Sequence, residues 1–122
     1  MSNKDFFPRI AAAVNAGDAD HIAEWFTEDF KLHEPGVPLE RVTGHEGAQR
    51  MIHHLRTAIV PEPRIEILDM VEEGDRVAVR WQFSGVKDGQ PVVVPCVAIY
   101  RFVDGRVAED WGIASYEGQP WP

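Results

Sequence analysis

Residues 91–114 read PVVVPCVAIYRFVDGRVAEDWGIA. Two runs rich in Val, Ile and aromatic residues flank Asp104-Gly105, a strong short-range sign of a β-hairpin. Upstream, Lys87-Asp88-Gly89-Gln90 and Glu73-Gly74-Asp75 are further turn signals. They divide the second half of the chain into Arg64 to Glu72, Arg76 to Val86, Pro91 to Val103 and Arg106 to Tyr116. Four strands joined by tight turns predict an antiparallel meander.

The first half has a helical texture. Phe6, Phe7, Ile10, Ala13 and Val14 recur at three- and four-residue spacing and predict an amphipathic helix ending near Gly17. Asp18 is placed to cap a second short helix carrying Ile22, Trp25 and Phe26. Phe30-Lys31-Leu32-His33-Glu34 then alternates as a short strand, stopped by Pro35-Gly36. Thr43-Gly44-His45-Glu46 has the form of a capping box, opening a helix with Ala48, Met51, Ile52, Leu55 and Ile59 on one face, stopped by Pro61 and Pro63. Helices followed by an antiparallel sheet predict an α+β domain with the helices covering one face.

The length of 122 residues suits one domain, 1–122, and 44% hydrophobic residues suffice for a core. A net charge of −8, with scattered Lys and Arg, argues against a nucleic-acid partner. The lone Cys96 excludes an intrachain disulfide. The opening MSNKDFFPRI lacks the apolar core of a signal peptide, and no stretch reaches the ~20 apolar residues of a membrane span. A cytoplasmic protein with no membrane partner is therefore expected.

Alternation decides some side-chain directions and leaves others open. In the first strand Glu34 shares a face with Phe30 and Leu32, so it is carried inward, while His33 shares the other face with Lys31. In the 91–103 run both faces are apolar: Cys96, Ala98 and Tyr100 on one, Val97 and Ile99 on the other. In the last strand Ala108, Asp110, Gly112 and Ala114 oppose Val107, Glu109, Trp111 and Ile113. Small residues beside an acid suit a concave, ligand-sized space, but periodicity alone does not choose.

The sequence also resembles a known family. Trp25-Phe26-Thr27-Glu28-Asp29-Phe30, His33-Glu34-Pro35-Gly36, Thr43-Gly44-His45-Glu46-Gly47, Asn15-Ala16-Gly17-Asp18 and 104–111 (DGRVAEDW) stand in the order of the nuclear transport factor 2-like superfold. Within it the chain is similar to SnoaL-like polyketide cyclases and ketosteroid isomerases, from about Phe6 to Tyr116. The resemblance implies a cone: a strongly curved antiparallel sheet wrapped on three N-terminal helices, the cystatin-like α+β barrel arrangement. It turns Cys96, Ala98, Tyr100, Asp110, Gly112 and Ala114 inward. It implies a homodimer through the convex sheet face, where Val97, Ile99, Trp111 and Ile113 would otherwise leave a large apolar patch.

The resemblance also implies site residues. Glu34 before Pro35 stands where ketosteroid isomerases carry their general base, and Asp110 where SnoaL-like cyclases carry an acid/base Asp. The isomerase's two oxyanion donors fall on Ile10 and Ala98, and the cyclase's His falls on Cys96, none of which matches. The implied activity is cofactor-free acid/base catalysis on a small apolar or carbonyl-bearing ligand, of cyclase or isomerase type, with Asp110 and Glu34 catalytic. Tyr100, Cys96, Ala98, Trp81, Phe83, Leu32 and Ala114 would line the pocket. The alternative is a non-catalytic ligand-binding or dimerisation module on the same fold.

Each candidate has a bland counterpart. Glu34 or Asp110 would be structural if paired with Arg56 or Arg80. Cys96 reads better as a buried small hydrophobe than as a nucleophile. His53 and His54, adjacent on a helix, point about 100° apart and cannot chelate one ion as an i, i+4 pair could, so a solvated face is expected and a metal is not. With no phosphate loop or dinucleotide fingerprint, no organic cofactor is expected.

Overall fold

Asp88-Gly89 and Asp104-Gly105 both hold positive φ across the pair, 53° and 78° in the first and 52° and 78° in the second. That is the backbone of a type I′ turn, whose twist matches the strands it joins. The computed structural model describes residues 2–18, 20–35, 42–59, 63–115 and 121. The expected stops at Gly36 and Pro61 and the strand end at Tyr116 lie outside them. Numbered in chain order, the strands are β1 (Phe26–His33), β2 (Arg64–Glu73), β3 (Arg76–Lys87), β4 (Gln90–Val103) and β5 (Arg106–Ala114). The meander β2 to β5 is antiparallel throughout.

β1 differs from expectation in two ways. It starts at Phe26, four residues before Phe30, and it lies parallel to β5, with Leu32 opposite Asp110 and His33 opposite Trp111. The Ile22, Trp25 and Phe26 stripe reads as helix, yet the second helix, α2, covers only Ile22–Trp25. Phe26 pairs with Val107 instead, so tertiary pairing overrides local periodicity. The full sheet order is β1-β5-β4-β3-β2.

The first helix, α1 (Phe6–Asn15), buries Phe6, Phe7, Ala11 and Val14. It ends in a left-handed Gly17 (φ 80°), with the Asp18 N–H donating to the Ala13 carbonyl at 2.8 Å and the Gly17 N–H to Val14 at 2.9 Å. This is the Schellman termination, which a residue with a Cβ resists. Just before it, the Asn15 side chain grips edge strand β2, donating to the Ile65 carbonyl (3.0 Å) and accepting from the Ile65 N–H (2.6 Å). That occupies backbone groups an open edge would otherwise present to another chain.

The third helix, α3 (Gly44–His54), runs into a five-residue π-turn at Leu55–Ile59. Thr43 sits at its N-cap position, but its side chain makes no cap hydrogen bond, so the capping box is not formed. Thr43 has the extended backbone usual at an N-cap and is bridged to Lys31, while the Leu32 N–H donates to the Val42 carbonyl at 2.9 Å. The helix then packs so tightly that a Cβ on Gly47 would meet the Val42 carbonyl carbon at 2.9 Å. Backbone cannot yield as a side chain can, so Gly47→Ala should cost roughly 1–3 kcal/mol. A urea denaturation midpoint equal to that of the native protein would contradict this.

Buried Phe6, Phe7, Phe30, Val77, Val79, Phe102 and Val107 fill the space between the helices and the inner face of the sheet. The outer face leaves Val97, Ile99 and Ile113 41%, 44% and 57% exposed. This exposure resolves the ambiguity of β4 in favour of Cys96 and Ala98, both buried, facing inward. Among the described residues no helix is long and apolar enough to cross a membrane.

Candidate functional site

Between α1, the end of α3 and the inner sheet face lies a cavity of about 130 Å³. Its wall is apolar over most of its area, with Phe7, Ile10, Met51, Leu55, Ile67 and Phe83 among the lining residues. The exceptions are few: Glu34, His54, Trp81, Cys96, Tyr100 and Asp110.

Asp110 reaches the cavity from β5, where it stands opposite Tyr100 on β4 and Leu32 on β1. It is only 6% exposed, and its Oδ1 has no hydrogen-bond partner among the described residues. Leaving such an acceptor unsatisfied costs about 1–3 kcal/mol. Burial pushes the Asp110 carboxyl well above the usual carboxylate range, and the negative charge of Glu34 pushes it further. Glu34 follows directly on β1 and is half-buried, and burial raises its carboxyl too.

Among the described residues neither acid is paired with an arginine. Arg80 is engaged by Asp69, at 2.9 and 3.1 Å, and its guanidinium lies over the Trp121 ring. Arg56 reaches instead toward Gly17 at the end of α1. The other acid of β5, Glu109, faces outward, bound by Arg101 and His33 at 2.9 Å each. His33, stacked on Trp111 with ring centroids 5.4 Å apart, therefore points away from the cavity as alternation predicts.

Cys96 and Tyr100 complete the sheet side of the wall. Burial first, and then the charges of Glu34 and Asp110, drive the Cys96 thiol up, so it stays protonated and is no nucleophile. Its S–H points back to the Val94 carbonyl at 3.7 Å. The Tyr100 phenol is raised by burial and then by Asp110, Cys96 and Glu34, and it packs on Phe7 at 4.9 Å between centroids. The Trp81 indole N–H lies close enough to offset part of that rise, although Nε1 has no hydrogen-bond partner of good geometry among the described residues.

Of the seven residues expected on the wall, Tyr100, Cys96, Trp81 and Phe83 line it, and Ala98, Leu32 and Ala114 do not. Ala98 is buried opposite Gly112, and two residues so small do not reach the space. Leu32 packs into the main apolar cluster and Ala114 against Phe83, Val94 and Cys96. His54 corrects the reading in the other direction: expected on a solvated face, it is half-buried and lines the cavity. The signal was present, since His54 lies three residues after Met51 and seven after buried Gly47, on the same helix face.

A model of the SnoaL-like domain matches residues 8–110. The chain belongs to the SnoaL-like family. None of the curated proteins matches it. Among solved structures, this SnoaL-like chain is similar to a candidate polyketide cyclase from Acidithiobacillus ferrooxidans (20% identity, TM-score 0.82), covering 94% of this chain and 92% of that one. IdmH, a candidate polyketide cyclase from Streptomyces antibioticus, is 25% identical with a TM-score of 0.75, over 94% and 93% of the two chains. AclR, a candidate hydroxylase from Streptomyces galilaeus, is 25% identical with a TM-score of 0.73, over 95% and 80%. The SnoaL-like chain thus has the nuclear transport factor 2-like fold, and its neighbours carry the names of small-molecule enzymes.

Proposed function

We propose that this SnoaL-like protein catalyses proton transfer next to a carbonyl, without a cofactor, with Asp110 as the base. The observation that carries the reading is the buried Asp110 carboxyl on the wall of an apolar cavity, its Oδ1 without a hydrogen-bond partner among the described residues. An ionised Asp110 would take the proton from the carbon beside a ketone. The C–H electron pair becomes the enolate double bond and the carbonyl π pair moves to oxygen. The proton returns from Asp110 to another carbon in an isomerisation, or to the new alkoxide when the enolate carbon attacks a second carbonyl in a cyclisation. Glu34 supports the step by keeping the Asp110 pKa high, which makes the carboxylate a stronger base.

The simplest test follows exchange of the α-protons of cyclohexanone in D₂O by NMR, which requires only the first half of the reaction. Native protein should accelerate exchange and Asp110→Asn should not. Equal rates for the two would remove the acid/base reading and leave the non-catalytic ligand-binding module, favoured by the apolar Ile10 and Ala98 and by Cys96 at the family's catalytic positions.

We propose further that two copies pair through the outer sheet face. Support comes from Val97 opposite Ile113 and Ile99 opposite Trp111, an apolar cross-strand patch left toward solvent. Sedimentation equilibrium should give a dimer for the native protein and a monomer for Ile113→Glu. A native monomer at micromolar concentration would refute the pairing.

A further inference from the structure

Exchange of a ligand proton with solvent needs a way out of the cavity, and Asp110 itself is only 6% exposed. The sheet shows which end that way out takes. Toward one end β2 and β4 begin and β3 and β5 finish, around a cluster in which Ile65, Leu55 and Ala114 pack against Phe83, Val94 and Cys96. β1 runs parallel to β5, so it finishes at the same end, and Glu34 follows directly on it. His54, the residue before Leu55, closes α3 there too. The buried Phe6, Val77, Phe102 and Val107 fill the opposite end.

Burial is graded along that line. Asp110 is buried, Glu34 and His54 are half-buried, and all three line the cavity. Leu32 stands opposite Asp110, and Glu34 comes two residues later, roughly 7 Å further along the strand. Among the described residues of the wall, Cys96 and Tyr100 also carry labile protons, but neither readily gives one up. Burial first, then the charges of Glu34 and Asp110, keeps the proton on Cys96, and burial and then Asp110 keep it on Tyr100. The Trp81 indole can only donate. That leaves a carboxylate and an imidazole, the commonest proton shuttle among side chains.

We propose that Glu34 and His54 form the proton exit of this site. The proton that Asp110 takes from the ligand passes to the Glu34 carboxylate, then to the His54 imidazole, and the imidazolium releases it to solvent. The reverse sequence brings a solvent proton in, and all three groups finish as they began. The route rests on the acid/base reading. In it Glu34 and His54 act through Asp110, apart from the breaking of the C–H bond.

The test separates exit from abstraction. Cyclohex-3-enone becomes cyclohex-2-enone when a proton moves from the carbon beside the carbonyl to the far alkene carbon. In D₂O a proton still held on Asp110 returns as hydrogen, and one that has left is replaced by deuterium. The ratio of deuterium to hydrogen at the new position therefore reads the exit whatever the rate. Native protein should give mostly deuterium. Glu34→Gln and His54→Ala should each lower the ratio roughly 10²-fold, the low end for a placed acid or base. Free imidazole should restore it in His54→Ala. A second readout needs no turnover: protonated Asp110 has an infrared C=O band, absent from Asp110→Asn, that shifts on mixing into D₂O. Both variants should slow that shift. A native ratio in either variant, a His54→Ala loss that imidazole does not repair, or an unchanged rate of the band shift would overturn the exit. If native protein and Asp110→Asn isomerise the ketone equally, the acid/base reading falls instead, and the band shift alone decides the proton path.

Discussion

Asp110→Asn is expected to melt higher than the native protein at pH 8 while losing exchange activity by roughly 10²–10⁴-fold, the usual contribution of a placed base. The two effects have one origin. Asn keeps the shape of Asp but never carries the charge that burial and Glu34 oppose. The sign follows from linkage. A carboxyl whose folded pKa lies above its unfolded value, about 3.9 for Asp, binds its proton more tightly in the folded state. That contribution to stability is complete below the unfolded pKa and is lost as pH rises through the folded one. Native protein should therefore weaken between about pH 4 and the raised pKa of Asp110, and the variant should not. Relief of an unpaired buried charge on the order of 1–3 kcal/mol corresponds to a gain of about 4 °C per kcal/mol. Calorimetry at pH 4 and pH 8 checks this, with the gain confined to the higher pH. A variant that melts lower at pH 8, or gains equally at both, would show that Asp110 is structurally satisfied. Activity should follow the opposite trend, rising with pH as the base ionises.

Phe30→Ala should produce the largest loss of stability. Phe30 is fully buried, its ring 4.7 Å from that of Phe26, and it anchors β1, an edge strand of the sheet. Truncating a buried Phe costs about 3–5 kcal/mol from lost transfer energy and residual cavity. Against a total of 5–15 kcal/mol typical of native proteins, that leaves a marginal fold. The urea midpoint should fall accordingly with the slope unchanged, and ligand should recover part of the loss by mass action. Glu34 lies four residues beyond Phe30, so the variant should also weaken cyclohexanone binding where folded protein persists. A loss under about 1 kcal/mol would mean that the helices, not β1, close the core.

The meander was legible because its turns are written in residues that tolerate the positive φ a type I′ turn demands, Asp-Gly at 88–89 and 104–105. The inward direction of Glu34 was legible from Phe30 and Leu32. That of Asp110 was not, because β4 and β5 are apolar on both faces, and exposure of Val97, Ile99 and Ile113 had to decide it. The start of β1 at Phe26 was hidden by a helical stripe, since its pairing with Val107 spans about eighty residues and no local pattern records it. The bridge between Thr43 and Lys31 is likewise non-local, and no local pattern records it. His54 was legible in principle, since helical spacing puts it on the face of Met51 and Gly47, about 100° from His53. The unpartnered Trp81 nitrogen could not be read from sequence at all, because it depends on what stands around an indole in three dimensions.

The parallel ladder of β1 and β5 has a kinetic corollary. Glu34 and Asp110 come from strands at opposite ends of the chain and meet only when Leu32 finds Asp110. Hairpins β2–β3, β3–β4 and β4–β5 need only two-residue loops and close early, whereas this contact closes a loop of most of the chain and carries its entropy. During refolding the meander should acquire its fluorescence and hydrogen-exchange protection before the two acids become neighbours. The cavity is then the last part of the molecule to exist, and ligand binding reports the completion of folding rather than its onset.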